Sequence, residues 1–179
     1  TPLYSSAASD VYKRQVWANM STLLPGASGI DTWQARVYYN KTMLNATRAG
    51  YTVPGPPATS QLFQGIGTTP VVPVFGPNYA QHGETCAPSW KPVPCSGSLC
   101  WFEFNVTKVP GEGETLTCKF NITNVDSWVA DDQGNYYPPD GPITRYNGNY
   151  QFTYPSATRT LTITSTAGGT TNPAPGVHS

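Results

Sequence analysis

Two neighbouring segments in the second half of the chain alternate large apolar residues with polar ones. They cover residues 101–109 and 115–122, and the stretch Pro-Gly-Glu-Gly-Glu at 110–114 separates them. Alternation with a period of two puts the apolar side chains on one face of a half-buried strand. Proline and glycine between two such strands favour a turn. The pattern therefore predicts a β-hairpin over residues 101–122.

Further strands are predicted where β-branched and aromatic residues cluster, at residues 31–41, 71–75, 151–154 and 158–164. Pro73 restricts the second of these to a sheet edge or a bulge, because proline cannot donate to a strand ladder. Aromatic residues make up 12% of the chain, and helix-favouring Glu and Lys are scarce. The sequence predicts an all-β fold, an immunoglobulin-like antiparallel β-sandwich with long, disulfide-stapled loops.

The charge balance limits the classes of partner. Lys and Arg number 10, Asp and Glu number 10, and the formal net charge is zero. A neutral chain lacks the basic field that attracts nucleic acid, and no apolar run reaches the ~20 residues that cross a bilayer. The G-x-S-x-G, H-E-x-x-H and P-loop motifs are missing from the sequence. We therefore expect a non-enzymatic protein without cofactor, nucleic-acid partner or membrane partner.

Four cysteines, Cys86, Cys95, Cys100 and Cys118, lie within one stretch of the chain. Their spacing lacks the paired C-x-x-C arrangement of a zinc site, so no metal site is predicted. An even number of cysteines favours disulfides in a secreted protein, and four cysteines allow three pairings. One hypothesis joins Cys100 to Cys118 at opposite ends of the predicted hairpin, and Cys86 to Cys95 around the loop that holds Trp90.

Sequons of the N-x-[ST] type indicate the secretory pathway. About two would arise by chance in a chain of this composition, and five occur. Together with the cysteines they favour a secreted, extracellular glycoprotein. The five predicted glycosylation sites are Asn19, Asn40, Asn45, Asn105 and Asn121.

The two ends of the chain differ in composition from its centre. Residues 5–15 resemble translated adaptor sequence, so residues 1–15 are predicted to be non-native. Residues 165–179 are rich in Thr, Gly and Pro, which is typical of a flexible linker. The β-sandwich is therefore predicted over residues 16–164, tethered to another domain of the same protein.

One segment of the predicted sandwich resembles a known family. Phe120-Asn121 leads into a loop with Trp128, Asp131 and Tyr136. This order resembles the signature of starch-binding carbohydrate-binding modules of families 25, 26 and 53. Upstream, His82 precedes Trp90 by eight residues, which is similar to the His, Trp and Pro arrangement of the same modules.

The resemblance implies non-catalytic binding of an α-glucan such as starch. In that family two Trp and one His form the sugar platform, which maps here onto His82, Trp90 and Trp128. Asp131 and Tyr136 are candidate additional sugar contacts. Flat aromatic rings bind the apolar faces of sugars.

Other interpretations of the same residues stay open. Trp128 is either a ligand platform or a loop anchor, and Trp101 is expected in the core because it begins an apolar strand. The chain as a whole is alternatively an extracellular adhesion or cell-wall sandwich whose partner is a protein. A third interpretation is a fragment of a secreted amylase-type glycoside hydrolase, in which the module tethers the enzyme.

Overall fold

The computed structural model describes residues 11–20, 27–54, 58–86, 91–92, 95–137, 148–153, 161–163 and 176–178. Across these ranges the regular structure consists of β-strands, and no helix occurs that is long and apolar enough to cross a membrane. The strands in chain order are β1 (Val11–Met20), β2 (Gly29–Tyr38), β3 (Leu44–Tyr51), β4 (Thr69–Pro70), β5 (Val74–Phe75), β6 (Tyr79–Thr85), β7 (Lys91–Pro92), β8 (Cys95–Val106), β9 (Thr115–Ile122), β10 (Trp128–Asp131), β11 (Tyr136–Tyr137), β12 (Gly148–Thr153), β13 (Leu161–Ile163) and β14 (Gly176–His178).

The strands form two main antiparallel sheets. A three-stranded sheet has the order β1-β8-β3, and a nine-stranded sheet is built on the path β11-β10-β2-β6-β4. In the larger sheet β5 also pairs with β6, β7 and β9 pair with β2, and β12 pairs with β9. Strands β13 and β14 pair with each other in a separate two-stranded sheet. Strand β14 lies within residues 165–179, which the sequence predicts to be a flexible linker. The prediction of an all-β antiparallel sandwich is confirmed.

The core lies between the two main sheets because each presents an apolar face. In β2 the side chains of Trp33, Ala35 and Val37 alternate with outward residues and are buried. In β8 Phe102 and Phe104 are fully buried. The Phe104 ring packs against Phe120 in β9 of the nine-stranded sheet, with 5.0 Å between the ring centroids. Aromatic contact between sheets is a main source of stability in such a fold.

The predicted hairpin over 101–122 is wrong in its pairing. Residues 101–106 and 115–122 are strands, as the alternation indicates. However, β8 pairs with β1 and β3, while β9 pairs with β12 and β2. The connecting residues 107–114 therefore carry the chain from one sheet to the other. Alternation determines which side chains face the core, but it does not identify the neighbouring strand.

The remaining strand predictions are largely confirmed. Residues 31–41 correspond to β2, and residues 151–154 and 158–164 overlap β12 and β13. The strand predicted over residues 71–75 is shorter in the structure, where β5 comprises Val74–Phe75. Pro73 lies next to this shortened strand at the sheet edge, as expected for a residue that cannot donate. Residues 11–15 belong to β1 and pair with β8.

The predicted disulfides are not formed. Cys86, Cys100 and Cys118 are buried with free thiols, and the side chain of Cys95 lies outside those that the structure describes. The Cys100–Cys118 hypothesis relied on a hairpin between β8 and β9, and these strands do not pair. Burial raises the pKa of the Cys86 thiol to about 12, helped by Asp31 and Glu84. Thiols in such surroundings are unreactive core residues.

Candidate functional site

The structure separates the residues that the sequence placed in one sugar platform. His82 in β6 is only 3% exposed and points into the core. Trp128 in β10 is half-buried, and Tyr136 in β11 is 65% exposed. Trp90 lies outside the described residues. His82 and Trp128 therefore cannot contact one ligand, because they lie on opposite sides of the nine-stranded sheet.

Trp128 and Tyr136 do belong together. Their rings meet edge to face with centroids 4.9 Å apart. Ala130 is the register partner of both Tyr136 in β11 and Thr32 in β2, and Trp128 is the register partner of Gln34. Directly opposed residues of antiparallel strands point to the same face. Both rings thus lie on the side of the sheet that faces away from the core.

The same register continues across the sheet. Arg36 is opposite Gln81, and Tyr38 is opposite Tyr79. Val74 in β5 is also opposite Gln81. These outward side chains, with the Trp128–Tyr136 pair, define what we call the open face. Its members are Gln34, Arg36, Tyr38, Val74, Tyr79, Gln81, Trp128 and Tyr136.

A polar network fixes the centre of the open face. The Arg36 guanidinium lies 2.6 Å from an Asp126 carboxylate oxygen and donates from Nε to Gln81 at 2.7 Å. The Tyr38 hydroxyl donates to the other Asp126 oxygen at 2.7 Å. The Tyr38 hydrogen bond and the charge of Arg36 lower the pKa of Asp126. Arg36 also lies over the Tyr79 ring, 4.4 Å from its centroid, which is a cation–π contact.

Two amide side chains connect this network to the Trp128 end of the face. Gln81 donates from Nε2 to the side-chain Oε1 of Gln34 at 3.0 Å. Gln34 in turn donates to the backbone carbonyl of Asp126 at 2.9 Å. Side chains that are already ordered lose little conformational entropy when a partner binds. The polar side chains of the open face are therefore ordered before a partner binds. The positive charge of Arg36 is largely neutralised by the Asp126 carboxylate.

An apolar strip borders the open face. We call residues Thr69–Phe75 the edge segment, which comprises β4, β5 and the residues between them. Val71, Val72, Val74 and Phe75 are all exposed, and Val72 reaches 80%. The segment is held to β6 at Val71, whose N–H donates to the Gly83 carbonyl and to the Tyr51 hydroxyl at 3.0 Å. Exposed apolar clusters of this kind mark interaction sites.

Asp131 organises a turn rather than a ligand site. Its carboxylate accepts hydrogen bonds from the backbone N–H groups of Gln133 and Asn135, the Asn135 amide and the Tyr137 hydroxyl. A carboxylate has about four lone-pair sites, and these donors use them. Asp131 is 1% exposed. The predicted sugar contact by Asp131 therefore has no free acceptor to make it.

Glu84 is a second carboxylate inside the fold. It is fully buried and accepts from Trp33 Nε1 at 3.2 Å, from the Thr59 hydroxyl at 2.6 Å and from the Ser60 N–H at 3.0 Å. These donors belong to β2 and to the turn that follows residue 58. Across the described ranges, no three His, Cys, Asp or Glu side chains gather in a way that would hold a metal ion.

Sequence reasoning found Trp128 and Tyr136 but missed the centre of the open face. The signal was present in residues 31–41, because Gln34, Arg36 and Tyr38 occupy the alternate positions to the apolar Trp33, Ala35 and Val37. Their neighbours in β6 could not be assigned, since the pairing of β2 with β6 joins residues more than 40 positions apart.

Comparison with known proteins gives a likeness of fold only. No protein family model matches the chain, and no curated protein matches it. Cohesin modules are among the solved structures that are similar to this chain. A cohesin from Clostridium thermocellum, solved as a type I cohesin–dockerin complex, has a TM-score of 0.55 at 8% identity, over 82% of this chain and 86% of that chain.

Two further cohesins agree with this. The third cohesin of ScaC from Acetivibrio cellulolyticus, solved with a ScaB dockerin, has a TM-score of 0.55 at 11% identity, over 79% of this chain and 88% of that chain. The cohesin module from a Clostridium perfringens family 33 glycoside hydrolase has a TM-score of 0.51 at 7% identity, over 83% and 87% of the two chains.

These findings overturn the resemblance to starch-binding modules. The similar structures are cohesins, so the assignment to families 25, 26 and 53, the α-glucan function and the polysaccharide partner are wrong. The physical reason lies in His82 and Asp131, which match the motif in sequence but are buried in the fold. That the chain is a non-catalytic module stays a prediction from its sequence, because a likeness at 7–11% identity shows the fold alone.

Proposed function

We propose that this chain is a non-catalytic module that binds a partner protein on its open face. The observation that carries the proposal is the Trp128–Tyr136 pair beside the ordered Arg36, Tyr38 and Tyr79 side chains. Trp, Tyr and Arg are the residues that contribute most to protein–protein binding energy. The likeness to cohesins solved in complex with dockerin proteins supports this choice of partner class.

The chemistry of the face restricts the partner further. Arg36 is neutralised by Asp126 at 2.6 Å, so the centre of the face offers hydrogen bonds rather than net charge. Tyr136 and the valines of the edge segment add apolar surface at its borders. A partner that combines exposed apolar side chains with hydrogen-bonding groups matches this surface. Its affinity is expected to depend weakly on salt, because little charge steers the encounter.

A secreted location and a tether to another domain belong to the same proposal. The C. perfringens cohesin is a module of a glycoside hydrolase, which supports a tethered arrangement here. Residues 1–15 as non-native sequence, 16–164 as the immunoglobulin-like sandwich and 165–179 as a linker are proposed as its boundaries. A module joined to other domains raises local concentration at a shared target.

The sequons support secretion and indicate where the face stays accessible. Asn40, Asn45, Asn105 and Asn121 are exposed. Asn45 and Asn105 are direct register partners on the three-stranded sheet, whereas Asn121 is opposite Tyr38 in the nine-stranded sheet. A glycan on Asn121 would cover the Tyr38 end of the open face and leave the Trp128 end free. Asn19, in β1, is the fifth proposed glycosylation site.

The test is photo-crosslinking followed by affinity measurement. A benzoylphenylalanine at position 74, where the exposed Val74 lies on the open face outside the polar network, captures proteins from the secretions of the source cells. The captured protein is then purified and titrated against variants. Trp128→Ala and Tyr136→Ala are each expected to weaken binding at least tenfold. Arg48→Ala, on the outside of the three-stranded sheet with its side chain 70% exposed, is the matched control and should bind normally. Equal loss in all three variants, or no loss in any, would contradict the proposal.

A further inference from the structure

His82 is enclosed between aromatic rings directly behind the edge segment. The imidazole stacks on Tyr51 with centroids 4.4 Å apart and an interplanar angle of 27°, and Trp33 meets it edge to face at 6.1 Å. The side chain is 3% exposed, and its Nδ1 atom has no hydrogen-bond partner. A buried polar atom without a partner is uncommon in native proteins. This position therefore tolerates a neutral imidazole far better than an imidazolium.

The same ring is linked to the edge segment through Val71. The Val71 backbone lies beside His82 and favours the charged form of the imidazole. Tyr51, the ring that stacks on His82, accepts from the Val71 N–H at 3.0 Å and donates to the Gly83 carbonyl at 2.6 Å. Both contacts reach Val71 from the core side of the sheet. Movement of the imidazole would disturb both contacts to Val71, which lies between the short strands β4 and β5 that pair with β6.

The groups that face His82 give little compensation for a positive charge. Glu84 lies on the same strand, but its oxygens already accept from Trp33, Thr59 and Ser60. From β3 the Tyr51 hydroxyl faces this region, and from β8 the buried Cys100 thiol does. Burial lowers the pKa of His82 to about 4, and Glu84 and the Val71 contact oppose this only in part.

We propose that His82 is an acid-sensitive latch that holds the edge segment in place while it is neutral. Protonation makes both ring nitrogens donors, and Nδ1 then requires an acceptor that this side of the core does not offer. The ring must leave its place between Tyr51 and Trp33 to find one in water. Departure of the ring loosens Val71 and the exposed Val72 between the short strands β4 and β5, and so disturbs the apolar strip that borders the open face. The consequence for partner binding, weaker capture at acidic pH, rests on the proposed function, whereas the latch itself does not.

The size of the effect follows from linkage. With a pKa of about 4 in the folded state and about 6.5 once exposed, an opening that exposes His82 becomes about 25-fold more favourable between pH 7.5 and pH 5. Amides that exchange through this opening should lose protection by the same factor. The change is expected in the edge segment and in β6.

Hydrogen exchange with mass spectrometry tests the latch without any partner. The protein is compared at pH 7.5 and pH 5, with exchange corrected for the intrinsic rate at each pH. Peptides covering the edge segment should lose about 25-fold in protection in the native sequence. His82→Gln should remove this pH dependence, and His178→Gln, at the other histidine of the chain, should retain it. Unchanged protection in the native protein, or the same loss in His82→Gln, would overturn the latch.

A second measurement covers the case in which His82→Gln does not fold. The ring carbons of the two histidines in the native protein are followed by NMR from pH 7.5 to pH 3.5. The latch requires one histidine that stays neutral to below pH 5 and whose protonation coincides with loss of the Val71 amide signal. Two histidines that both titrate near pH 6.5 would sink the idea, and such a result would leave binding on the open face untouched.

Discussion

Replacement of Glu84 should reveal how much of the fold depends on one buried carboxylate. The side chain is fully buried and joins β6 to β2 and to the turn at residues 59–60. Its carboxylate accepts hydrogen bonds from three donors: the Trp33 indole N–H, the Thr59 hydroxyl and the Ser60 backbone N–H. Each donor is in a region that water does not reach. Removal of the acceptor therefore leaves all three unpaired.

The magnitude follows from the number of orphaned donors. A buried donor that loses its partner costs about 1–3 kcal/mol, so Glu84→Ala should lower the free energy of unfolding by about 4–6 kcal/mol with partial relaxation. That is close to the whole stability of a typical domain. Glu84→Gln keeps the size and one acceptor oxygen but turns an NH₂ group toward a donor. Its expected cost is about 2–3 kcal/mol.

Urea unfolding followed by tryptophan fluorescence measures both variants at pH 7.5. Glu114→Gln is the matched control, because Glu114 is exposed and a glutamine there can still accept from the Gly111 N–H. The control should change stability by less than about 0.5 kcal/mol. A double-mutant cycle with Trp33→Phe should show a coupling of about 1 kcal/mol with Glu84. If Glu84→Gln unfolds at the same urea concentration as the native protein, the carboxylate does not hold these donors.

Two other predictions concern the buried thiols and the β10–β11 turn. Cys86, Cys100 and Cys118 should resist iodoacetamide at pH 8 in the folded protein and react after unfolding, and mass spectrometry that finds any of them natively alkylated would contradict their burial. Asp131→Asn should lower the free energy of unfolding by about 1–3 kcal/mol at pH 7. Burial raises the pKa of Asp131, but hydrogen bonds, first that of Tyr137, lower it below the usual value. The stabilisation is therefore present above about pH 4 and lost as the pH falls further, so urea unfolding at pH 3.5 should show a smaller difference between the two proteins.

The strands could be predicted from sequence because alternation is a local property. Residues 101–109 and 115–122 alternate, and both contain strands. The phase of the alternation was harder to assign. Trp101 was expected in the core, yet Phe102 occupies the buried position and Trp101 is half-buried on the outer side, with its indole N–H donating to the Tyr51 carbonyl. The alternation of Phe102, Phe104 and Val106 with polar residues sets the inward face, and it places Trp101 on the outer side with Glu103 and Asn105.

The pairing of strands and the binding site depend on long-range contacts that leave no local pattern. Arg36 and Asp126 are 90 residues apart in the chain and form one ion pair. The burial of His82 and Asp131 is also a property of the assembled sheets. Their residue types and spacing matched a sugar-binding motif, because a motif specifies order along the chain and not the side of a sheet. Sequence reasoning therefore identified two of the eight residues of the open face, Trp128 and Tyr136, for a ligand class that the fold does not support.

Pro70 and Pro73 protect the outermost strands of the larger sheet against unwanted self-association. An uncovered strand rich in valine would normally template the growth of intermolecular β-structure. The two imino acids remove N–H groups from this border and interrupt its regularity between β4 and β5. Molecules at high concentration can thus expose Val72 and Phe75 without fusing their sheets into fibrils. A partner strand that paired with this border would find no N–H donor at Pro70 or Pro73.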